Sequence, residues 1–465
     1  MKSPLPPALV LAATLAGSAC RPGAEQAKPT ADAVPDASPA AKEARPIAHK
    51  IKRLEPSPAP TGAVVTLGRA LFFDERLSAK NDISCATCHD PDKAFADALR
   101  VGKGQQGKAL ARNTPSVVNV DARAPFFWDG RAPTAEEQAL GPITSTDEMA
   151  QDLGELVKEL EEVPEYVARF EAAFGSPGID KERIGKALAT FERTLISADA
   201  PIDRYLGADH GALSPEAARG FALFTGKAEC VKCHDGPHFT DASFHNIGVK
   251  GGDLGRFQVL AVPVLKGAFK TPGLRDVDLT APYFHDGSAA TLLDVVEHYD
   301  RGGDTAENLD QDIHRLGLTA AEKGDLVAFM RALTGKPLTI ERPRLPRVNR
   351  TPRRISTLTL MKDVDGMLAS LDRLVARLDE GEWDEARATV NRLIGNTEEL
   401  AALRSRLVPK ERLPLLRLRI GALVVAFDDL ERAIGRRERA AAMTAYDGVR
   451  DRCEQCHDDF RGQRR

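Results

Sequence analysis

The stretch Ile83-Ser84-Cys85-Ala86-Thr87-Cys88-His89-Asp90 decides how this chain folds, because its core is a Cys-x-x-Cys-His motif. In this motif two thiols can add to the vinyl groups of a haem, and the adjacent histidine can bind the iron. The motif returns at Cys230–His234 and at Cys453–His457. A structural zinc site or a redox Cys-x-x-Cys would leave three histidines unexplained, so we predict three covalently bound haem c groups. The predicted attachment residues are Cys85, Cys88, Cys230, Cys233, Cys453 and Cys456, and the predicted iron ligands are His89, His234 and His457.

The cysteine count restricts the chemistry further. Of the seven cysteines in 465 residues, six lie in the three motifs and the seventh is Cys20, so no pair is left for a disulfide. The formal net charge of -4 gives no signature of polyanion binding, and we expect no nucleic-acid partner. At roughly 150 residues for each domain, the length predicts about three domains.

The first fifty residues predict export and a tether. Residues 1–20 carry a positive charge at Lys2, continue with an apolar run too short to span a bilayer comfortably, and end at Cys20. The ending Ala-Gly-Ser-Ala-Cys resembles a bacterial lipoprotein cleavage box, which predicts a periplasmic protein attached to the membrane only through a lipid on Cys20. Ordinary cleavage to an unanchored periplasmic protein is the alternative. Residues 21–50 are rich in Ala and Pro and cannot bury a core, so we predict a disordered tether.

Two globular units are predicted next, at residues 51–205 and 206–340. Both combine helical apolar spacing with a haem motif and a Gly- and Pro-rich loop region, which suggests an approximate internal duplication. Helix starts are predicted at Ser214, from its capping preference, and at Thr319, from a capping box. Apolar spacing predicts further helical segments at Leu67–Phe73, Asp152–Phe174 and Ile179–Ala198.

The last part of the chain differs from the two preceding units in its composition and in the spacing of its apolar residues. Residues 341–355 hold three prolines and six arginines and are predicted to be a linker. Residues 356–465 carry apolar residues at three-four spacing, and breaks near Gly381, Pro409 and Gly435 leave four helical segments. Short loops between such segments predict an antiparallel bundle, with the third haem motif on one face of the last helix.

Several motifs between residues 60 and 340 keep the order and spacing of one family. They are Leu71-Phe72-Phe73-Asp74, Arg112-Asn113-Thr114-Pro115-Ser116, Phe127-Trp128-Asp129-Gly130-Arg131, Glu137-Gln138-Ala139-Leu140-Gly141-Pro142, Thr271-Pro272-Gly273-Leu274-Arg275 and Ala281-Pro282-Tyr283-Phe284-His285-Asp286-Gly287. They resemble the bacterial di-haem cytochrome c peroxidase family, including the branch that matures the tryptophan-derived cofactor of methylamine dehydrogenase. Residues 356–465 resemble the bundle of cytochrome c-prime proteins. The implied fold is mainly α, with two cytochrome c-like haem domains followed by a four-helix bundle haem domain.

The resemblance assigns the reaction with hydrogen peroxide to the first haem. Gln105 stands where peroxidases of the family often carry a blocking histidine, which implies an open or water-occupied sixth position on this iron. Glu148 matches the carboxylate that moves a proton between the two peroxide oxygens, and Gln138 matches the glutamine that accompanies it. By itself, Glu148 would be interpreted as a solvated loop carboxylate.

The resemblance also implies groups between the first two haems. Trp128 matches a tryptophan that shortens the electron hop between them, although a plain core role is the alternative. Asn113, Thr280 and Pro282 match a calcium site, where the last two would offer main-chain carbonyls to a hard cation. An Asn-Thr-Pro-Ser sequence by itself would be interpreted as a turn.

The sixth ligands of the other two haems remain open at this point. Tyr299 occupies the position of the second haem's sixth ligand, where peroxidases use methionine and the cofactor-maturing branch uses tyrosine. A packed tyrosine on a helix face is the alternative. For the third haem, Met367, Met361 and an empty position are all candidates, because methionine on an apolar helix face often only fills the core.

Three functions follow from these expectations. The first is a peroxidase that reduces hydrogen peroxide to water, with electrons relayed from the C-terminal haem through the second haem and Trp128 to the first. Its donor would be a small periplasmic protein, either a cytochrome or a cupredoxin. The second is peroxide-dependent oxidation of a protein or small molecule, as in the cofactor-maturing branch. The third is a non-catalytic electron carrier.

Overall fold

The computed structural model describes residues 50–55, 58–120, 124–346, 368–402 and 409–460. The predicted export signal with Cys20, nearly all of the tether, and both Met361 and Met367 lie outside the described residues. Within the described ranges the chain is mainly helical, as predicted, and its only strands are two of two residues each. No helix in these ranges is both long and apolar enough to cross a bilayer.

The helices and strands follow one another in three groups. The first group holds α1 Ala63–Phe72, α2 Cys85–Cys88, α3 Ala135–Thr144, α4 Leu153–Glu161, α5 Pro164–Phe174 and α6 Lys181–Glu192. The second holds α7 Pro201–Leu206, α8 Pro215–Thr225, β1 Phe244–His245, β2 Phe269–Lys270, α9 Leu292–Arg301 and α10 Ala320–Arg331. The third holds α11 Trp383–Ala402, α12 Leu413–Gly435 and α13 Arg439–Phe460, preceded by helical residues 368–376. The strands pair antiparallel, with Phe244 opposite Lys270.

Short 3₁₀ helices fill the connections. They are Glu75–Leu77, Pro91–Lys93, Gln105–Gly107, Cys230–Lys232, Arg256–Gln258, Pro263–Leu265, Val277–Leu279, Leu378–Glu380 and Lys410–Arg412.

The first two groups use the same helix crossing. In the first, Gly68 of α1 lies directly against the backbone carbonyl of Ala187 in α6, where a Cβ atom would clash. In the second, Gly220 of α8 lies in the same way against the carbonyl of Asp325 in α10. A glycine at each crossing lets the two backbones approach closely, which any other residue would prevent. The repeated contact agrees with an internal duplication.

The cores do not follow the predicted boundary of the first unit. Ile51 packs in the second hydrophobic core, with Ala200 and Ile202, and its backbone bridges to Gly236 of the second unit. The start of the described chain, at Ile51, therefore belongs to the second unit, and the first unit begins only after it. The boundary at residue 205 likewise lies inside α7, which belongs to the second core.

Two predicted helix starts are confirmed. The Ser214 side chain accepts a hydrogen bond from the backbone N–H of Ala217 and caps α8. Thr319 and Glu322 form the predicted capping box of α10. The prediction of continuous helical spacing from Asp152 to Phe174 is wrong at Val163, because Pro164 begins a new helix there and has no N–H to continue the old one. The stretch predicted at Ile179–Ala198 is helical only over Lys181–Glu192.

The third group is built around one hydrophobic core. Residues 368–376 and α11 to α13 contribute to it, with Leu371, Val390 and Phe427 fully buried. Cys453 of the third haem motif packs against this core. Whether the group is a complete cytochrome c-prime bundle stays a prediction.

This group rests on the first unit. Gly421 of α12 lies against the backbone carbonyl of Pro164 in α5, where a Cβ atom would clash, and Leu418 packs on the first core. The predicted linker takes part as well, because Leu345 packs on the same core.

A buried ion cluster crosses this contact. The Arg169 guanidinium lies 2.9 Å from a carboxylate oxygen of Asp428 and also pairs with Glu165. Arg344 of the predicted linker pairs with Asp428 and, at 3.1 Å, with Glu165. Two positive and two negative charges therefore balance one another, and Glu165, Arg169 and Asp428 are almost fully buried.

We predict that Asp428→Asn weakens the attachment of the C-terminal group to the first unit. The substitution leaves the buried Arg169 and the partly buried Arg344 facing one carboxylate, and breaking a buried pair in this way costs about 3–5 kcal/mol. Limited proteolysis should release the C-terminal group, and the first thermal transition should move to lower temperature.

Asp429→Asn is the matched control. Asp429 is the exposed neighbour in the same helix and pairs only with Arg432 among the contacts described here, so its loss should change little. Equal effects of the two substitutions would show that the buried cluster does not hold the contact.

Candidate functional site

A cavity of roughly 790 Å³ surrounds the first haem motif and is lined by Cys85, Cys88 and His89. The two cysteines lie at the ends of α2, which begins at the capping residue Ser84. The Nδ1 atom of His89 lies 3.1 Å from the Phe95 carbonyl oxygen. A ring that donates through Nδ1 carries its lone pair on Nε2, the nitrogen that can bind iron.

The residues present fit a covalently bound haem. The cavity lining combines two thiols, one imidazole and a largely apolar wall. Burial raises the pKa of the Cys88 thiol to about 11 and also raises that of Cys85, so neither brings a negative charge into the cavity. When bound, haem iron would supply redox chemistry at this position.

The predicted catalytic residues Glu148 and Gln138 line this same cavity. Gln138 comes from α3, while Glu148 lies on the loop that follows α3 and is partly exposed. Gln105 lies beside that loop, and its side chain donates to the carbonyl oxygen of Met149 at 3.2 Å. The fold therefore places Glu148 and Gln138 in the lining of one cavity, and Gln105 lies beside the loop that carries Glu148.

A second cavity of about 210 Å³ surrounds the second haem motif, with Cys230, Cys233 and His234 in its lining. The Nδ1 atom of His234 lies 2.9 Å from the carbonyl oxygen of Phe239, the same arrangement as in the first unit. Burial lowers the pKa of His234, which favours the neutral ring that a metal requires. This cavity fits a haem for the same reasons.

Two candidate sixth ligands line the second cavity. Tyr299, on α9, was predicted, and burial followed by the charges of Cys230 and Cys233 raises the pKa of its phenol. Met330, on α10, also lines this cavity and is buried in the second core. Met330 was not predicted as a ligand, because its position is typical of a core methionine.

Trp128 lines both cavities. Its indole Nε1 donates to the Asn113 carbonyl oxygen at 2.9 Å, and its own carbonyl oxygen accepts from the Lys270 N–H at 2.8 Å. The ring is thus held at the junction of the two units.

The predicted calcium ligands Asn113, Thr280 and Pro282 all line the second cavity. The amide nitrogen of Asn113 donates to the carbonyl oxygen of Leu99 at 2.9 Å, which orients the side-chain oxygen as a possible ligand. Amide and carbonyl oxygens are donors that Ca²⁺ accepts, so the three residues fit such a site.

A charged cluster beside the second motif was missed by the sequence analysis. His245 lies 2.7 Å from Asp310 and 3.0 Å from Asp241 through its two ring nitrogens, and Cys233 is close by. Asp241 first, and then Cys233, raises the pKa of His245 to about 11. The carboxylates of Asp241 and Asp310 on either side of the ring favour the imidazolium form of His245. No local pattern joins residues 241, 245 and 310, so the sequence could not reveal it.

The third motif lies in the last turns of α13. Cys456 and His457 are half-buried, whereas Glu454 and Gln455 are exposed. Arg419 of α12 pairs with Asp459 at 2.5 Å and fixes this end of the helix.

Comparison with known proteins gives consistent matches. A model of the di-haem cytochrome c peroxidase family matches residues 62–211. The methylamine utilization protein MauG of Methylophilus methylotrophus is 43% identical over 310 residues, which are 65% of this chain and 92% of that relative. The cytochrome c551 peroxidase of Nitrosomonas europaea is 37% identical over 294 residues, which are 62% of this chain and 85% of that relative.

A solved structure agrees with these matches. The crystal structure of a MauG-like protein associated with microbial copper homeostasis has a TM-score of 0.55 and 32% sequence identity, and the match covers 62% of this chain and 93% of that chain. Similarity over nearly the whole of several relatives, together with two haem-fitting cavities, identifies the family. The chain belongs to the di-haem cytochrome c peroxidase family, whose members are oxidoreductases with covalently bound haem c.

Proposed function

We propose that the chain reduces hydrogen peroxide to water in the first cavity. The observation that carries this proposal is that Glu148, Gln138 and Trp128 all line one haem-fitting cavity. The reaction consumes two electrons and two protons for each peroxide and yields two waters. The residues of the chain must therefore deliver protons to the peroxide and connect the cavity to an electron supply.

Glu148 would supply the proton transfer. Its carboxylate can take a proton from one peroxide oxygen and return it to the other as the bond between them breaks. Its partly exposed position on a loop gives access to water, from which the carboxylate can be reprotonated. The amide of Gln138 would hold the peroxide beside it by hydrogen bonding.

We predict that Glu148→Gln slows the reaction with peroxide by roughly a hundredfold or more, as expected for the loss of a general acid–base group. Stopped-flow absorption after mixing the holoprotein with hydrogen peroxide measures this rate. Asp147→Asn is the control, because Asp147 is the exposed neighbour and its side chain pairs with Lys108. An unchanged rate in Glu148→Gln would remove Glu148 from the mechanism.

The C-terminal group would supply electrons through the second unit and Trp128 to the first. The buried cluster of Arg169, Arg344, Glu165 and Asp428 supports a donor held at a fixed place, since it anchors this group to the first unit. A fixed donor has a high effective concentration and needs no diffusive encounter. The third haem, held by Cys453, Cys456 and His457, is part of this proposal.

A second function is favoured by Tyr299. The relative with 43% identity is named a methylamine utilization protein, and a phenolate ligand stabilises ferric iron, which suits storage of oxidising equivalents for an outside substrate. In this alternative the chain uses peroxide to oxidise a protein or a small molecule.

We predict that Tyr299→Met raises the reduction potential of the second haem, because a neutral thioether replaces an anionic oxygen ligand. A redox titration followed by absorption measures the shift. Met330→Leu is the matched control in the same cavity. A change in the resting spectrum of Met330→Leu, with none in Tyr299→Met, would assign the ligand to Met330 instead.

An exposed apolar strip supports docking of a small electron-donor protein, either a cytochrome or a cupredoxin. Val259, Leu260, Val262 and Val264 are all exposed. In sequence the strip is flanked by Gln258, which lines the first cavity, and by Gly267, which lines the second. Contiguous exposed apolar surface marks interaction sites, and a strip this short suits the small interfaces of transient redox contacts.

We predict sustained peroxide turnover with a reduced small c-type cytochrome as donor, and a higher KM for that donor in Val264→Asp, because the substitution places a charge in the contact. Leu293→Asp, an exposed apolar position on α9, is the control. No turnover despite a rapid spectral reaction with peroxide would favour the second function. No spectral reaction would favour a pure electron carrier.

Three further parts of the proposal concern location and ions. We propose export to the periplasm and lipid anchoring at Cys20. We also propose a Ca²⁺ ion held by Asn113, Thr280 and Pro282 between the first two haems.

A further inference from the structure

The first cavity is lined by a buried carboxyl group, that of Glu192, which the proposed peroxide chemistry does not use. Glu192 is the last residue of α6, is only 4% exposed, and lines the cavity. Its Oε2 atom is buried and has no hydrogen-bond partner among the described residues. A buried carboxyl oxygen without a partner is rare, because burial of an unpaired charge is costly.

The helix prevents Glu192 from turning to solvent. Leu188, one turn before Glu192, and Phe191, the residue that precedes Glu192, are both fully buried in the first core. Ala189 packs beside Val120 and Phe126 of the cavity wall. The carboxyl group therefore stays in the cavity.

The charged groups around Glu192 do not neutralise it. Arg193 follows in the chain, but its guanidinium lies 2.7 Å from the Glu136 carboxylate on α3, which shares its charge. Among the described residues a further titratable neighbour is Cys85, whose pKa is raised by burial and then by Glu192. In the holoprotein Cys85 is a thioether and no longer titrates. Burial raises the pKa of Glu192 to about 8, with Arg193 opposing the rise and Glu136 adding to it.

Of the carboxyl groups that line the cavity, those of Glu192 and Glu148 lie beside different attachment residues. Glu192 acts on the pKa of Cys85, whereas Glu148 acts on that of Cys88. Glu148 is on a partly exposed loop and Glu192 is on a buried helix end. The two positions suit different roles: rapid exchange with water for Glu148, and retention of a proton for Glu192.

We propose that Glu192 is a redox-linked proton-binding site of the first cavity, which binds a proton when the haem attached at Cys85 and Cys88 gains an electron and releases it when that electron is lost. One electron and one proton enter together, so the net charge of the cavity is unchanged. The physical reason is that an added electron repels a carboxylate in a medium of low dielectric constant. The inference rests on haem attachment alone and does not require peroxide turnover.

The coupling between haem reduction and proton binding by Glu192 determines how the reduction potential should depend on pH. Below the carboxyl pKa the group is protonated in both redox states, so the reduction potential should not change with pH. As the pH rises through that pKa, reduction requires proton uptake, and the potential should fall. The substitution Glu192→Gln should abolish this fall.

The experiment is a redox titration of the holoprotein at several pH values between about 6 and 10, a range that spans the raised pKa of Glu192. The spin-resonance signal of the first haem reports its redox state at each applied potential. Glu182→Gln is the matched control, because Glu182 begins the same helix and its side chain is exposed. The wild type and Glu182→Gln should show the fall in potential, and Glu192→Gln should not. A wild-type potential that does not change with pH, or an equal fall in Glu192→Gln, would overturn the proposal.

A second measurement needs no variant, in case Glu192→Gln fails to fold or to bind haem. The infrared difference spectrum of the wild type between its oxidised and reduced forms, at a pH near 8, should contain the C=O stretch of a carboxylic acid that gains intensity on reduction. Absence of that band would contradict the proposal. Loss of peroxide activity in Glu148→Gln with the band retained would separate this inference from the proposed peroxidase function.

Discussion

The hydrogen bond from the indole nitrogen of Trp128 to the carbonyl oxygen of Asn113 holds an aromatic ring that lines both cavities. Backbone bonds fix the same junction, because the N–H of Asn113 donates to the His285 carbonyl oxygen at 2.7 Å and the N–H of Lys270 donates to that of Trp128. Since the bonds join the backbones of two units, the spacing of the cavities does not depend on flexible side chains.

Close helix crossings set the positions of the units around this junction. Gly68 and Gly220 bring together the helix pairs of the first two units, and Gly421 brings the C-terminal group onto the first unit. In each case the glycine lies against a backbone carbonyl of the opposing helix. The Cβ atom of the residue four positions later in that helix packs against the same glycine. At the third crossing the buried charges of Arg169 and Asp428 add a specific orientation, because they are satisfied in one arrangement of the helices.

The carboxyl groups of the first cavity differ in their burial and in the structural element that carries them. Glu148 lies on a partly exposed loop, while Glu192 is held by a helix whose residues Leu188 and Phe191 are buried in the first core. Beside the second cavity, His245 is stabilised as a cation between Asp241 and Asp310. Side chains of the same chemical type therefore take on different roles according to burial and partners.

The sequence by itself determined the three Cys-x-x-Cys-His motifs, the family, and the residues that match the family's motifs, including Glu148, Gln138, Trp128 and Tyr299. These signals are local, because covalent attachment requires cysteines and histidine at fixed short spacing and a matching motif is contiguous. Tertiary structure alone decided that Ile51 belongs to the second core, that Met330 lines the second cavity and that Asp428 meets Arg169. It also decided that Glu192 is buried without a partner, since burial and charge pairing depend on which distant segments meet, and no spacing along the chain records that.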